Sequence, residues 1–136
     1  DIAENTTADP EISVRQLDRV QHLHCQIASR LKENSDDAAV LTELHPTPAV
    51  GGQPRDQALA LMRKLEPFER GWYAAPVGWT GGARTEFAVA IRSALIKHRK
   101  LLLFAGAGIV QGSDAEAEWK EIDNKLGNFV HLFEKP

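Results

Sequence analysis

From Val14 onward the apolar residues recur at Leu17, Val20, Leu23, Ile27 and Leu31, and steps of three and four suit one face of a helix. Val20 and its neighbours tolerate an extended chain as well, so the period leaves helix and strand open for this segment. Ahead of it, residues 1–11 are polar, with Thr6, Thr7, Asp9 and Pro10, and predict a loose, solvent-facing N-terminal segment. A polar break at Glu33-Asn34-Ser35-Asp36-Asp37 follows, where Ser35 or Asp36 is placed to cap a short helix through Leu41 and Leu44.

The next stretch, His45-Pro46-Thr47-Pro48-Ala49-Val50-Gly51-Gly52-Gln53-Pro54, holds prolines that lack donors and restrict the residue before them. It predicts a loop outside helix and sheet, either a surface connector or the wall of a pocket. Pro54 suits the first position of a helix whose apolar face is Ala58, Leu61, Met62 and Leu65, a stripe that reads as core packing. Pro67 predicts its end at or before Glu66.

Trp72 to Trp79 predicts extended chain, and Thr80-Gly81-Gly82 a turn. Glu86 to Ile96 alternates as a strand, with Phe87, Val89, Ile91, Ser93 and Leu95 on one face. The other face carries Arg92 in mid-strand between the small residues Ala90 and Ala94. A long cation in that setting either snorkels to solvent or binds an anion. Lys97-His98-Arg99-Lys100 predicts a basic hairpin tip, with Leu101 to Ala105 returning beside the first strand.

The run Ala105-Gly106-Ala107-Gly108 lacks the third glycine and the acidic partner of a dinucleotide fingerprint, and no Gly-Lys-Ser/Thr follows it. It can bring backbone amides close to a ligand, with Gly106 the best candidate. Ser113 and Glu116 form a capping-box signature for a last helix. Along it, Glu118, Glu121 and Lys125 project from nearly one face. That pattern suits a surface Glu–Lys pair, or two carboxylates on a magnesium-like ion beside a cation for an anionic group.

Composition narrows the classes. The 136 residues, 43% hydrophobic and 26% charged, suit a soluble domain or part of a larger one. With 16 Lys+Arg against 19 Asp+Glu and a net charge of -3, neither nucleic acid nor an anionic membrane surface is an expected partner. Leu101 to Val110 is the longest apolar run and falls well short of the ~20 residues that cross a bilayer. The single cysteine, Cys25, fits a reducing compartment, and a cytoplasmic location is expected. The chain opens at Asp1 without a Met, which leads us to expect processing or truncation upstream.

Taken in order, these pieces resemble the chorismate-utilising enzymes, and within them the isochorismate synthase branch. The matching text is Gln21-His22-Leu23, Leu44 to Gly52 (LHPTPAVGG), Glu66-Pro67-Phe68, Arg70-Gly71-Trp72-Tyr73, Pro76-Val77-Gly78-Trp79, Phe87 to Leu95, Leu103 to Val110, and Glu118-Trp119 with Glu121 and Lys125. The likeness spans roughly Val14 to Leu132, and Asp123-Asn124-Lys125 is most similar to the menaquinone-pathway form.

The resemblance implies an α+β fold, the C-terminal portion of a chorismate-binding domain over residues 1–136, with antiparallel sheet flanked by helices and Val14 to Leu31 extended. It implies a magnesium-dependent isomerase converting chorismate to isochorismate by adding water at C2 while the C4 hydroxyl leaves. Glu118 and Glu121 are then metal ligands. Tyr73, Arg92 and the amide of Gly106 hold the enolpyruvyl carboxylate, Lys125 lies near the substrate–metal cluster, and His45 positions the ring carboxylate side.

The family's water-activating lysine, its leaving-group glutamate and a further metal-binding glutamate belong to a part upstream of the matched region. The partners expected are therefore chorismate, isochorismate and that missing N-terminal part, and the chain alone is expected to be inactive. Salicylate synthase chemistry and a non-catalytic binding or assembly module are the alternatives. Oligomeric state is not readable from the sequence.

Overall fold

The computed structural model describes residues 2–16 and 21–130. Leu17, Val20 and Leu132, used in the pattern above, lie outside the described residues. The chain is α+β, with helices and antiparallel strand pairs, and divides into two compact units, residues 1–44 and 45–136.

In the first unit β1 (Ala3–Ala8) pairs with β4 (Ile27–Leu31), and β2 (Ser13–Gln16) with β3 (Gln21–His24), both antiparallel. The described part of Val14 to Leu31 is therefore extended. The polar stretch expected to be loose supplies β1 instead. Its residues are mostly exposed, as a polar sequence requires, but backbone pairing with β4 orders them. Asp9 extends this pairing: its N–H donates to Gln26 O at 2.9 Å, and its Oδ2 accepts from Gln26 N at 2.8 Å. Helix α1 (Asp37–Leu44) begins as the sequence predicts, with Asp36 Oδ1 accepting the Ala39 N–H at 2.8 Å.

The second unit opens with the proline-rich loop, which holds one helical turn, α2 (Pro48–Gly51), where only loop was expected. Pro48 sits at the first helical position, where its missing N–H costs no hydrogen bond. Helix α3 (Arg55–Leu65) has Pro54 as its N-cap and stops at Leu65, one residue before Glu66 and two before Pro67. Helix α4 (Ala115–Val130) starts from Asp114, whose Oδ1 accepts the Ala117 N–H at 2.9 Å. The Ser113 hydroxyl instead accepts the Val110 N–H at 3.1 Å, so the expected Ser113–Glu116 box is displaced by its neighbour.

Two hairpins follow α3: β5 (Pro76–Gly81) with β6 (Arg84–Val89), and β7 (Ser93–Lys97) with β8 (Lys100–Phe104). Gly78 opposes Phe87, and a Cβ on it would lie 2.7 Å from the Phe87 Cα, so only glycine lets the strands close there. The expected continuous strand Glu86 to Ile96 is broken. The Ile91 N–H turns back to Val89 O at 2.8 Å, and Arg92 takes φ +54, which swings the chain out of one hairpin and into the next. Arg92 therefore occupies the junction of the two hairpins, not mid-strand.

Burial is sparse. Ala74 is the one buried hydrophobic residue among those described, at 5% exposure, whereas Trp72, Leu23 and Ile96 are 82%, 77% and 75% exposed. No described helix is long and apolar enough to cross a membrane.

Candidate functional site

The chemistry-bearing residues of the second unit gather around the 71–74 turn, the junction at Arg92, the irregular segment following Phe104 and α4. Gly71 (φ +56) and Ala74 (φ +62) bend the chain between α3 and β5, making a turn where the sequence predicted extended chain from Trp72. Buried Ala74 anchors that turn, its N–H bonding to Ala90 O at 2.9 Å, with Ala90 N returning to Ala75 O at 2.9 Å.

Tyr73 is thereby directed over Phe104, ring centroids 5.9 Å apart and planes inclined by 20°. Its hydroxyl reaches Gly106. A Cβ built on Gly106 would fall well inside the contact distance of Tyr73 Oη, so a glycine there is what admits the phenol. Desolvation pushes the Tyr73 pKa above its ordinary value despite the opposing charge of Arg70, so at neutral pH the phenol is a protonated donor.

Gly106 also receives Lys125. The Lys125 Nζ donates to Gly106 O at 2.9 Å and forms an ion pair with Glu121 one helical turn back. The carbonyl of Gly106 is thus committed to α4, while its nearest side-chain neighbour is the phenol. Glu118, half-buried, stands three residues before Glu121 on the same helix.

Arg92 adjoins this group through the ladder. Ser93 pairs with Phe104, so residue 92 continues toward the segment that carries Gly106. Two features of Arg92 cost free energy. Its φ of +54 places an L residue in the left-handed region, and its Nε is buried without a hydrogen-bond partner among the described residues. A buried donor of this kind on a cationic fork is suited to an anionic acceptor, which favours the ligand alternative over snorkelling.

His45 enters differently. Its carbonyl accepts from Arg55 Nη2, and burial, followed by the Arg55 charge, lowers its imidazole pKa, which favours the neutral ring. The loop that carries it is tied toward Tyr73 by a residue not singled out from the sequence. Arg70 donates from Nη1 to Val50 O at 2.8 Å and places its guanidinium 5.9 Å from the Tyr73 ring centroid. In the sequence Arg70 stands in the Arg70-Gly71-Trp72-Tyr73 text of the resemblance without a role of its own, and Pro67 hides its i,i+4 spacing from Glu66.

The structure therefore brings together Tyr73, Gly106, Lys125 and Glu121, sets Arg92 beside them by strand register, and keeps Glu118 one turn away on α4. Two carboxylates are hard oxygen donors of the kind magnesium prefers. Among the described residues no group of three or more His, Cys, Asp or Glu side chains converges.

Residues 1–134 match the family model described as chorismate binding enzyme. The chain is 46% identical to isochorismate synthase 2, chloroplastic, of Arabidopsis thaliana, over 98% of this chain and 24% of that protein. It is 44% identical to isochorismate synthase MenF of Escherichia coli, over 98% of this chain and 32% of that one. Against the salicylate biosynthesis isochorismate synthase of Pseudomonas aeruginosa it is 46% identical over 83% of this chain and 24% of that enzyme. The chain thus spans 24–32% of the length of these relatives. A match over nearly every residue of the chain makes it a member of the chorismate-binding enzyme family.

Proposed function

We propose that this chain forms one part of an isochorismate synthase of the menaquinone-pathway type, converting chorismate to isochorismate with magnesium. The observation that carries this reading is the meeting of a neutral donor, Tyr73, and the Lys125–Glu121 pair at Gly106, with Arg92, a cation whose buried Nε has no partner among the described residues, next to the Ser93–Phe104 rung. Chorismate carries two carboxylates. Arg92 can engage one of them with two parallel hydrogen bonds, and Tyr73 adds a third donor without further charge. Lys125 offsets Glu121, and the neutral ring of His45 positions the opposite side of the substrate without adding charge.

Magnesium, when bound by Glu118 and Glu121, supplies charge neutralisation for the second carboxylate. The base that activates water and the acid that protonates the leaving C4 hydroxyl are assigned to protein upstream of this chain. The many exposed apolar side chains, Leu23, Trp72, Ile96 and Trp119 among them, support a partnership of that kind. A reducing compartment such as the cytoplasm is the setting we infer for the exposed thiol of Cys25.

The complete protein, given chorismate and magnesium, is expected to form isochorismate without releasing pyruvate; the present chain alone is expected to turn over negligibly and to regain activity when mixed with the upstream part. Glu121→Gln in the complete protein should raise the magnesium requirement about tenfold or more while leaving the unfolding midpoint nearly unchanged, because its carboxylate is 55% exposed and packs little. Pyruvate release would move the assignment to salicylate synthesis. A complete protein that binds neither chorismate nor magnesium would make the chain a binding or assembly module.

A further inference from the structure

Arg70 lies between two walls of the candidate site and touches both. Its Nε donates to Glu66 Oε2 at 2.8 Å and its Nη2 to Glu66 Oε1 at 2.5 Å, a two-pronged grip on the residue that ends α3. Nη2 also approaches Met62 Sδ at 3.0 Å, and Nη1 donates to Val50 O, the carbonyl just before Gly51 and Gly52 in the proline-rich loop. The same guanidinium stands 5.9 Å from the centre of the Tyr73 ring, and the Arg70 carbonyl accepts the Tyr73 N–H at 2.9 Å.

Four of the five N–H groups of the fork are thus engaged by this chain, and its charge is met by Glu66. An arginine so occupied is a poor ligand for a substrate carboxylate. Its half-buried position, 28% exposed, instead makes it a rigid link. A pair serving only the end of α3 would need Glu66 alone, whereas this fork spends its other edge on the loop and its flank on the aromatic ring.

We propose that Arg70 is a positioning residue, fixing the Tyr73 phenol and the Val50–Gly52 wall in one arrangement so that the donor and the loop carrying His45 meet the substrate together. The proposal rests on the functional reading above, and its test separates the two. Lysine keeps the charge but can serve neither the two-pronged grip nor the second acceptor. In the complete protein, Arg70→Lys is expected to raise the KM for chorismate about fivefold or more with kcat changed less than about twofold. In a Tyr73→Phe background, where only the Val50–Gly52 wall is left for Arg70 to fix for the substrate, the same substitution is expected to raise KM by less than about half that factor.

An equal effect in both backgrounds, or a lowered unfolding midpoint with unchanged KM, would overturn the proposal. A complete protein that forms no isochorismate would defeat the functional reading instead. Arg70 is then decided by the Tyr73 ring resonance in tyrosine-labelled protein, identified by its loss in Tyr73→Phe. Arg70→Lys should displace that resonance, and an unmoved signal overturns the positioning role.

Discussion

Gly106→Ala tests the closest approach in the site. The added Cβ would overlap Tyr73 Oη, while the next nearest atom, Tyr73 Cζ, is at 3.6 Å, an ordinary contact. Gly106 does not have a left-handed backbone, so the cost is steric and not conformational. The phenol cannot swing away freely, being stacked on Phe104 on one side and flanked by Arg70. Forced overpacking of this kind costs ~1–3 kcal/mol. Replacing glycine with alanine where the backbone permits it returns ~0.4–1 kcal/mol through the unfolded state. The net expectation is a loss of about 1–2 kcal/mol in denaturant unfolding of the complete protein.

Gly108→Ala, in the same segment with nothing within 4 Å of its Cβ, is expected to be neutral or slightly stabilising. The decisive arm is Tyr73→Phe. Removing the one clashing atom leaves only the 3.6 Å contact, so Gly106→Ala should cost nothing in that background. Equal destabilisation of Gly106→Ala with and without the Tyr73 hydroxyl would refute the proposed packing, as would equal effects at positions 106 and 108.

Further outcomes follow from the same geometry. Arg92→Gly relieves a left-handed backbone and deletes a buried, unpartnered Nε, so unfolding stability should rise by about 1 kcal/mol while the KM for chorismate rises about tenfold or more; a less stable variant with unchanged KM would show that Arg92 is only structural. His45 has its pKa lowered by burial and by Arg55, so below its ordinary value of 6.5 the unfolded chain binds a proton that the folded chain resists, and stability falls as the pH drops through and below that value. His45→Asn should shallow that decline when urea midpoints are compared at neutral and mildly acidic pH. Lys125→Met frees the Gly106 carbonyl and strips Glu121 of its counterion, and faster amide exchange across residues 105–110 is the expected readout, with Lys125→Arg exchanging more slowly than Lys125→Met.

How far the sequence reveals this arrangement depends on the range of the interaction. Stops and caps are set by neighbours, and so Asp36 beginning α1 and Pro67 ending α3 are visible in the text. The hairpin tip at residues 97–100 is equally local, and its register closes at Lys97↔Lys100. Strand β1 is invisible because its polar residues show no alternation, and only its partner β4, some twenty residues downstream, makes it a strand. The break at Arg92 is hidden for the opposite reason. The apolar alternation from Phe87 to Leu95 runs straight through it, whereas the kink is set by Ile91 bonding back to Val89 and by the separate pairing of β7 with β8. Family likeness supplied Tyr73, His45 and the metal assignment of Glu118 and Glu121, which periodicity alone left open. Neither route singled out Arg70, whose role depends on Val50 and Tyr73 lying on either side of it in space.

Charge gives these placements a common logic. Arg70 is met by Glu66 and Lys125 by Glu121, so neither brings an unspent positive charge to the junction. Arg92 does, through a donor that has left water and found no acceptor among the described residues. One uncommitted cation beside one protonated phenol matches a single carboxylate. The dianionic substrate of the proposed function would need a second positive centre, and the carboxylates proposed to hold one, Glu118 and Glu121, lie on the helix that already grips the Gly106 carbonyl. A cation attracted to Glu121 competes with Lys125 for the same oxygens, and a lysine released from that pair remains beside Gly106 with its charge available to an anion. Under the proposed function, the Glu121–Lys125 pair would make metal binding and substrate binding mutually reinforcing, a coupling that neither a plain surface ion pair nor an isolated anion pocket would require.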